Sequence, residues 1–220
     1  MNKKKGLIIA VLAAMVLSLA GVSAYYWYKN AHYVDTEDAR VDGTIVKVSP
    51  QITGRIAEIY VDEGDTVKEG QILARLTDYT LSPGANLDLA VVKSPISGTV
   101  IKKIGNVGEM GVPGQPVLMV ADLSRVYITA NVEETDLHKV RVGQKVTFTV
   151  DAIPGVVFTG RVSSVGEASI STFSLLPAQN TSGNFTKVVQ RVPVKIAVDS
   201  YQGKKLLPGT NAVVRIYVKN

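Results

Sequence analysis

The hydrophobic positions along the chain follow two different patterns, one before and one after residue 30. From Gly6 to Trp27 no residue is charged, and most side chains are apolar. A helix of about 20 apolar residues is long enough to cross the hydrocarbon core of a bilayer. The sequence therefore predicts a transmembrane anchor over residues 7–28, preceded by a short tail of residues 1–6.

Beyond residue 30, apolar and polar side chains alternate, as they do in strands with one buried face. The alternation is clearest in the segments Lys145–Asp151, Val192–Asp199 and Asn211–Lys219. Closely spaced turn signals such as Pro154-Gly155 and Pro208-Gly209 favour a β-sandwich or a barrel over alternating strands and helices. The predicted fold class is mainly β, following one N-terminal helix.

One stretch of this β region repeats. At an offset of 44 residues the chain contains five identical pairs, which are Gly54/Gly98, Gly64/Gly108, Gly70/Gly114, Gln71/Gln115 and Asp78/Asp122. Each copy is predicted to run as strand, glycine-centred bend, strand, tight turn and strand, with glycines where the backbone needs positive φ or a close approach. Two such copies predict an intertwined β-sandwich around a pseudo-twofold axis, in which the glycines are structural.

Charge and composition exclude several classes of function. The net charge is +5, but Lys3, Lys4 and Lys5 supply three of these charges and the remaining cations are scattered among acidic residues. That distribution is typical of a solvated surface and not of a nucleic-acid-binding stripe. Because the chain has no cysteine, disulfides and thiolate metal sites are excluded.

The sequence offers few candidates for catalysis or metal binding. His138 lies near Asp136, which could orient an imidazole, yet no nucleophile elbow accompanies the pair. Asp35, Glu37 and Asp38 lack the ligand spacing and glycine of an EF-hand loop. We therefore predict no enzyme, no catalytic residue, no metal site and no cofactor.

The residues that flank the apolar run predict its orientation. Lys3–Lys5 favour a cytoplasmic N-terminus, and Tyr25–Tyr28 carry the aromatic rings that are enriched at membrane interfaces. A cleaved signal peptide is the alternative, because Val22–Ala24 resembles a small-residue cleavage site. Both interpretations place the rest of the chain outside the cytoplasm.

The duplicated segments resemble the two half-motifs of biotinyl and lipoyl domains. The chain outside the apolar run resembles the HlyD and EmrA type of membrane fusion proteins, the periplasmic adaptors of drug-efflux pumps. Three further segments carry this resemblance: YVDTEDARVDGTIVKVSPQITG (33–54), LSRVYITANVEETDLHKVRVGQKVTFTVDAIPG (123–155) and SGNFTKVVQRVPVKI (182–196). The last is similar to EmrA in particular.

The chain departs from both families at the junction between the half-motifs. No lysine lies between Leu76 and Val92, so the chain is not a biotin or lipoyl carrier of the usual design. Adaptors normally hold a long helical hairpin here, whereas Asp78–Ala90 could span at most about 20 Å as a helix and Pro83-Gly84 would break it. The hairpin is missing, either naturally or because it was engineered out.

The resemblance implies a domain architecture with these boundaries. A membrane-proximal β domain would combine residues 33–48 with 169–220, and a lipoyl-like domain would combine 49–78 with 91–122. A short junction, 79–90, would replace the hairpin at the distal tip, and 123–168 would form a small β-barrel.

The resemblance also implies a function and a set of partners. It predicts an adaptor anchored in the bacterial inner membrane, with the bulk of the chain in the periplasm. The partners implied are a major-facilitator-type transporter, an outer-membrane channel that the missing hairpin puts in doubt, and further copies in a trimer or hexamer. The predicted subunit-contact residues share one exposed loop: Asn106, Glu109, Met110 and Gln115. The alternative function is a membrane-tethered binding or structural module that joins no tripartite pump.

Overall fold

A computed structural model describes residues 3–77, 87–173 and 189–218. In these residues the chain forms the helices α1 (Lys3–His32) and α2 (Glu134–Leu137), with short 3₁₀ turns at Leu87–Ala90 and Ile170–Phe173. The strands, in chain order, are β1 (Tyr33–Asp42), β2 (Ile45–Val48), β3 (Gly54–Ile59), β4 (Thr66–Val67), β5 (Ile72–Leu76), β6 (Val91–Lys93), β7 (Gly98–Lys103), β8 (Met110–Gly111), β9 (Leu118–Ala121), β10 (Tyr127–Glu133), β11 (Lys145–Val150), β12 (Val157–Val165), β13 (Arg191–Val198) and β14 (Asn211–Tyr217).

These elements divide into two compact units. The first unit comprises Met1–Arg40, Ile128–Ser200 and Asn211–Asn220, and the second comprises Val41–Tyr127 and Tyr201–Thr210. The strands of the first unit form a closed barrel in the order β1-β10-β13-β12-β11-β14. β14 completes the ring, because it pairs antiparallel with β1 on one side and with β11 on the other. Closure leaves no unpaired strand edge.

The barrel core is built from the apolar positions of the alternating segments. Along β11, Val146, Phe148 and Val150 are buried, whereas Lys145 is exposed. The rings of Phe148 and Phe158 stack with their centroids 5.4 Å apart. Stacked aromatic pairs bury large apolar areas, so this pair is a main anchor of the core. The predicted mainly β fold is confirmed.

The strand pairing differs from the predicted division of these segments into a small barrel, 123–168, and a separate membrane-proximal domain, 33–48 plus 169–220. Strands from both ranges belong to one closed barrel. Strand β2 is not part of that barrel, because it pairs with β9 in a sheet of the second unit. The segment Tyr201–Thr210 also belongs to the second unit. The physical reason is that alternation identifies the buried face of a strand but not its neighbours. One edge of β11 pairs with β12 and the other with β14. Because β14 lies outside residues 123–168, β11 cannot belong to a barrel formed by those residues alone.

The second unit contains two four-stranded sheets that repeat the same plan. Their orders are β2-β9-β7-β4 and β6-β5-β3-β8, and the 44-residue offset converts the first order into the second. Thr66 pairs with Thr99, and the equivalent positions, Met110 and Arg55, pair with each other. Each sheet therefore takes strands from both copies, which is the intertwined sandwich that the repeat predicted.

Hydrogen bonds between the copies follow the same symmetry. The amide of Gly64 donates to the carbonyl of Val100 at 2.8 Å, and the amide of Gly108 donates to the carbonyl of Ile56 at 2.8 Å. The bend of each copy is thus bonded to the other copy. Neither half could form these backbone hydrogen bonds alone.

The structure describes the predicted anchor but little of the predicted junction. Helix α1 includes one segment, Val11–His32, that is long and apolar enough to cross a membrane, with a mean hydropathy of 1.5 and none of its side chains buried in the protein. The predicted junction, 79–90, lies mostly outside the described residues, which resume at the 3₁₀ turn Leu87–Ala90. By sequence length alone, residues 78–86 leave no room for a long helical hairpin.

Candidate functional site

The first glycine pair of the half-motifs lies where two strands of the sandwich approach each other closely. A Cβ atom on Gly98 would lie 2.4 Å from the carbonyl oxygen of Ala121, and one on Gly54 would lie 2.8 Å from that of Thr77. Residues 77 and 121 are themselves equivalent under the 44-residue offset. These two glycines are therefore required by the packing of the backbone itself.

The other four half-motif glycines lie in turns and have positive φ. The values are 97° at Gly64 and 94° at Gly108, and 79° at Gly70 and 85° at Gly114. This left-handed region disfavours residues with a side chain. The half-motif glycines thus shape the backbone, and the described side chains near them form no cluster of three or more metal-ligating groups.

The predicted contact loop uses part of its polar chemistry internally. The side-chain amide of Asn106 donates to Glu109 Oε1 at 2.9 Å, and the Asn106 backbone N–H donates to Glu109 Oε2 at 3.0 Å. These two bonds lower the pKa of the Glu109 carboxyl. Met110 and Gln115 are exposed. Asn106 and Glu109 therefore shape the turn, which leaves the apolar side chains as the better candidates for contact.

The sequence prediction included Met110 but not Val107, a further residue of this loop. Val107, at the tip of the turn, is 62% exposed, and Met110 is 60% exposed. The guanidinium of Arg55 donates to the Gly108 carbonyl at 3.0 Å and lies beside them. In the other copy, Glu63 and Thr66 occupy the positions of Val107 and Met110. The two copies share one backbone at this turn, but only the second turn presents an apolar tip.

Charged side chains connect the end of helix α1 to the barrel. Asp35 accepts hydrogen bonds from Arg215 at 2.7 and 3.0 Å and pairs with Lys29 of α1 at 3.0 Å. The Arg215 bonds, and then Lys29, hold the pKa of the Asp35 carboxyl below its usual value, although burial opposes them. The pair therefore adds stability above the carboxyl's unfolded pKa and loses it as pH falls through the lower folded pKa.

Two family models match the chain, one for each unit of the fold. The barrel-sandwich hybrid domain of YknX matches residues 45–120, and the YknX-like β-barrel domain matches residues 126–216. YhbJ of Bacillus subtilis, which is named as a candidate efflux system component, is 36% identical over 218 residues, covering 98% of this chain and 94% of that protein. The chain belongs to the EmrA-like membrane fusion proteins.

Other relatives of this membrane fusion protein are longer. The colistin resistance protein EmrA of Acinetobacter baumannii is 42% identical over 134 residues, which are 58% of this chain but only 38% of that protein. The solved structure of the periplasmic adaptor protein EmrA shares the fold, with a TM-score of 0.57 and 16% identity over 85% of this chain and 99% of the other.

The comparison with YhbJ bears on the missing hairpin. Because the 218 aligned residues make up 94% of YhbJ, that relative also has no room for a long insertion at the junction. A membrane fusion protein with a short junction therefore exists as a full-length curated sequence.

The remaining polar candidates of this membrane fusion protein are occupied by neighbours. Nδ1 of His138 faces the carbonyl of Thr135 at 2.8 Å, whereas the carboxylate of Asp136 binds Lys139 at 2.7 Å. Asp136 therefore does not orient the imidazole. Asp38 pairs with Arg191, and Asp35 pairs with Arg215 and Lys29, so two of the three acidic residues of this edge take part in ion pairs. Membrane fusion proteins are structural adaptors and not enzymes.

Proposed function

We propose that this chain is a membrane-anchored adaptor of a bacterial efflux or secretion pump. Helix α1 crosses the inner membrane with its N-terminus in the cytoplasm, and the barrel and the sandwich lie on the periplasmic side. One observation carries the proposal: a single chain combines an apolar helix long enough for a bilayer with both domains of the EmrA-like family. The names of two EmrA relatives, a colistin resistance protein and a multidrug export protein, support drugs as cargo. The proposed partner is an inner-membrane major-facilitator-type transporter, as the resemblance to EmrA implies.

The short junction limits how far this adaptor reaches. A hairpin is the part that would extend toward an outer-membrane channel, and residues 78–86 cannot supply one. We therefore propose that the chain acts with its transporter alone and contacts no outer-membrane channel. The competing function, a membrane-tethered module without any pump, is favoured by the same short reach.

Co-purification from native membranes separates these two functions. The full chain, tagged at its C-terminus, is extracted in mild detergent after chemical crosslinking, and crosslinked peptides are identified by mass spectrometry. We expect crosslinks from the chain to a multi-spanning transporter. If the chain is recovered with peptides from its own copies only, the tethered module is the correct function and the adaptor proposal is wrong.

The exposed turn of the second copy is proposed as the contact between subunits. Rings of identical subunits need two different complementary patches on each subunit. Val107 and Met110 provide an apolar patch that the equivalent turn of the first repeat copy lacks. Replacing both residues by those of the first copy, Val107→Glu and Met110→Thr, keeps residues that the same backbone already accepts at Glu63 and Thr66.

We expect this double variant to fold but to dissociate into monomers, as measured by native mass spectrometry in detergent. The matched control is the reverse exchange, Glu63→Val with Thr66→Met, which should leave the oligomer intact. Equal oligomer masses for the wild type and the Val107→Glu/Met110→Thr variant would remove this loop from the interface.

A further inference from the structure

One tight turn occurs three times in the chain, and its third copy is in the barrel. The turns are Lys68–Gln71, Val112–Gln115 and Arg141–Gln144. In each turn, the backbone N–H of the glutamine donates a hydrogen bond to the backbone carbonyl of the first residue, at 3.1, 3.1 and 3.3 Å. The third residue is always a glycine with positive φ, which is 88° at Gly143. The turn therefore fixes its second residue at the tip, whatever that residue is.

The tip residue differs between the copies in a way that the backbone does not require. It is Glu69 in the first turn, Pro113 in the second and Val142 in the third. Val142 is 65% exposed, and the apolar side chains of Leu137, Val140 and Val165 line the adjoining surface. Because Glu69 shows that this turn accepts a charged tip, Val142 and the apolar side chains beside it form an exposed patch that the turn itself does not require.

Two basic residues flank this apolar tip in the sequence. Arg141 precedes Val142, Lys145 follows three residues later, and both are exposed. The Lys145 ammonium lies over the ring of Tyr217, 6.0 Å from its centroid. An apolar tip between basic side chains matches the chemistry of an anionic lipid surface, where the tip enters the acyl boundary and the cations remain among the headgroups.

The same loop lies next to the end of helix α1. The ammonium of Lys139 donates to the backbone carbonyl of Asn30 at 3.1 Å and to its side-chain oxygen at 3.3 Å. Asn30 is three residues beyond Trp27, which corresponds to about 4.5 Å along a helix. Trp27 is 75% exposed and belongs to the aromatic cluster that marks the membrane interface. The loop that carries Val142 is thus bonded to a residue within one helical turn of that interface.

We infer that the turn Arg141–Gln144 is a lipid-contact site of the barrel. Val142 enters the boundary between headgroups and acyl chains, and Arg141 and Lys145 bind anionic headgroups. The barrel is thereby held against the membrane at a second point in addition to α1. This inference rests on the proposed membrane anchoring.

Site-specific fluorescence in vesicles tests the inference, and the absence of native cysteine makes single labelling straightforward. The full chain carries an environment-sensitive dye at Val142→Cys and is reconstituted without a transporter into vesicles of phosphatidylcholine and phosphatidylglycerol. Glu69→Cys, the tip of the same turn in the sandwich, is the matched control. Ser18→Cys, in the apolar part of α1, reports on anchoring.

We expect the dye at position 142 to be blue-shifted and quenched by nitroxide lipids labelled near the headgroup, at least about twofold more strongly than the dye at position 69. Replacing phosphatidylglycerol with phosphatidylcholine should weaken that quenching. If position 142 behaves like position 69 while position 18 is quenched by lipid, the lipid contact is wrong and the anchor stands. A blue shift at 142 without lipid quenching indicates a protein contact and also overturns it. If the dye at position 18 is quenched only by a water-soluble quencher, both the membrane anchor and the lipid contact are wrong.

Discussion

The Gly98→Ala variant is expected to lose the stable sandwich. Its new methyl group would lie 2.4 Å from the carbonyl oxygen and 2.9 Å from the carbonyl carbon of Ala121, and these are backbone atoms that cannot rotate away. Overpacking of a tight site costs up to about 3 kcal/mol and occasionally more, and a clash with backbone belongs at the high end. The symmetry mate Gly54→Ala should be less damaging, because its closest approach is 2.8 Å to Thr77.

Gly70→Ala is the control that separates close approach from backbone conformation. Gly70 has a φ of 79°, and a Cβ there would have no neighbour within 4 Å, so the cost is about 1–2 kcal/mol for the left-handed conformation alone. Hydrogen exchange of the β7 and β9 amides gives the local free energy of opening in each variant. We expect protection to collapse in Gly98→Ala and to fall by about 5- to 30-fold in Gly70→Ala. Equal protection in both variants would show that the close approach is not essential.

The repeat made the sandwich predictable from sequence because the backbone geometry requires glycine at the repeated positions. Gly54 and Gly98 lie at equivalent positions in the structure, and each faces the carbonyl of an equivalent residue, Thr77 or Ala121. A residue that tolerates no side chain leaves a strong trace in the sequence. Identical spacing of such residues in two copies predicts two copies of one backbone.

The closed barrel was not predictable in the same way. Alternation along β11 and β14 correctly predicted which side chains are buried, since Phe148 and Val214 both face the core. It carries no information about which strands are neighbours, and the pairing of β11 with β14 joins residues that are far apart in the chain. The segment Tyr201–Thr210 was assigned to the wrong unit for a related reason. Its anchor is a single buried side chain, Leu206, without a repeating pattern.

The predicted subunit-contact loop includes two residues whose polar groups are used within the loop. Asn106 and Glu109 attracted attention as polar groups, yet they bond to each other and form the turn. Val107 was overlooked, although a signal was present. Comparison of the copies places Val107 at the position of Glu63, which shows that the fold accepts a charged residue where the second copy has an apolar one. A second comparison, between the tight turns that carry Glu69 and Val142, draws attention to Val142 in the barrel.

The short junction gives the fold a specific functional meaning. In the sandwich each copy completes the sheet of the other, so the two copies hold together across residues 78–86 without a hairpin between them. The short junction therefore supports the proposal that the chain acts with its transporter alone.

The exchange of strands between the two copies is tested most directly by engineered disulfides, since the chain has no cysteine of its own. Asp65 and Val100 are joined by a backbone hydrogen bond of 2.9 Å, as are the equivalent Glu109 and Ile56 at 2.8 Å. The neighbouring pairs, Thr66 with Thr99 and Arg55 with Met110, are therefore non-hydrogen-bonded pairs. Such pairs have Cα atoms about 4.5 Å apart, within the range that a disulfide spans.

The decisive measurement is non-reducing electrophoresis and peptide mass spectrometry of four double-cysteine variants, read on the monomer. The exchanged sandwich predicts near-complete disulfide formation in Thr66→Cys/Thr99→Cys and in Arg55→Cys/Met110→Cys. It predicts none in Arg55→Cys/Thr66→Cys or in Thr99→Cys/Met110→Cys, the pairs that would meet if each copy folded on itself. Disulfides in the second set and not in the first would contradict the interlocked sandwich.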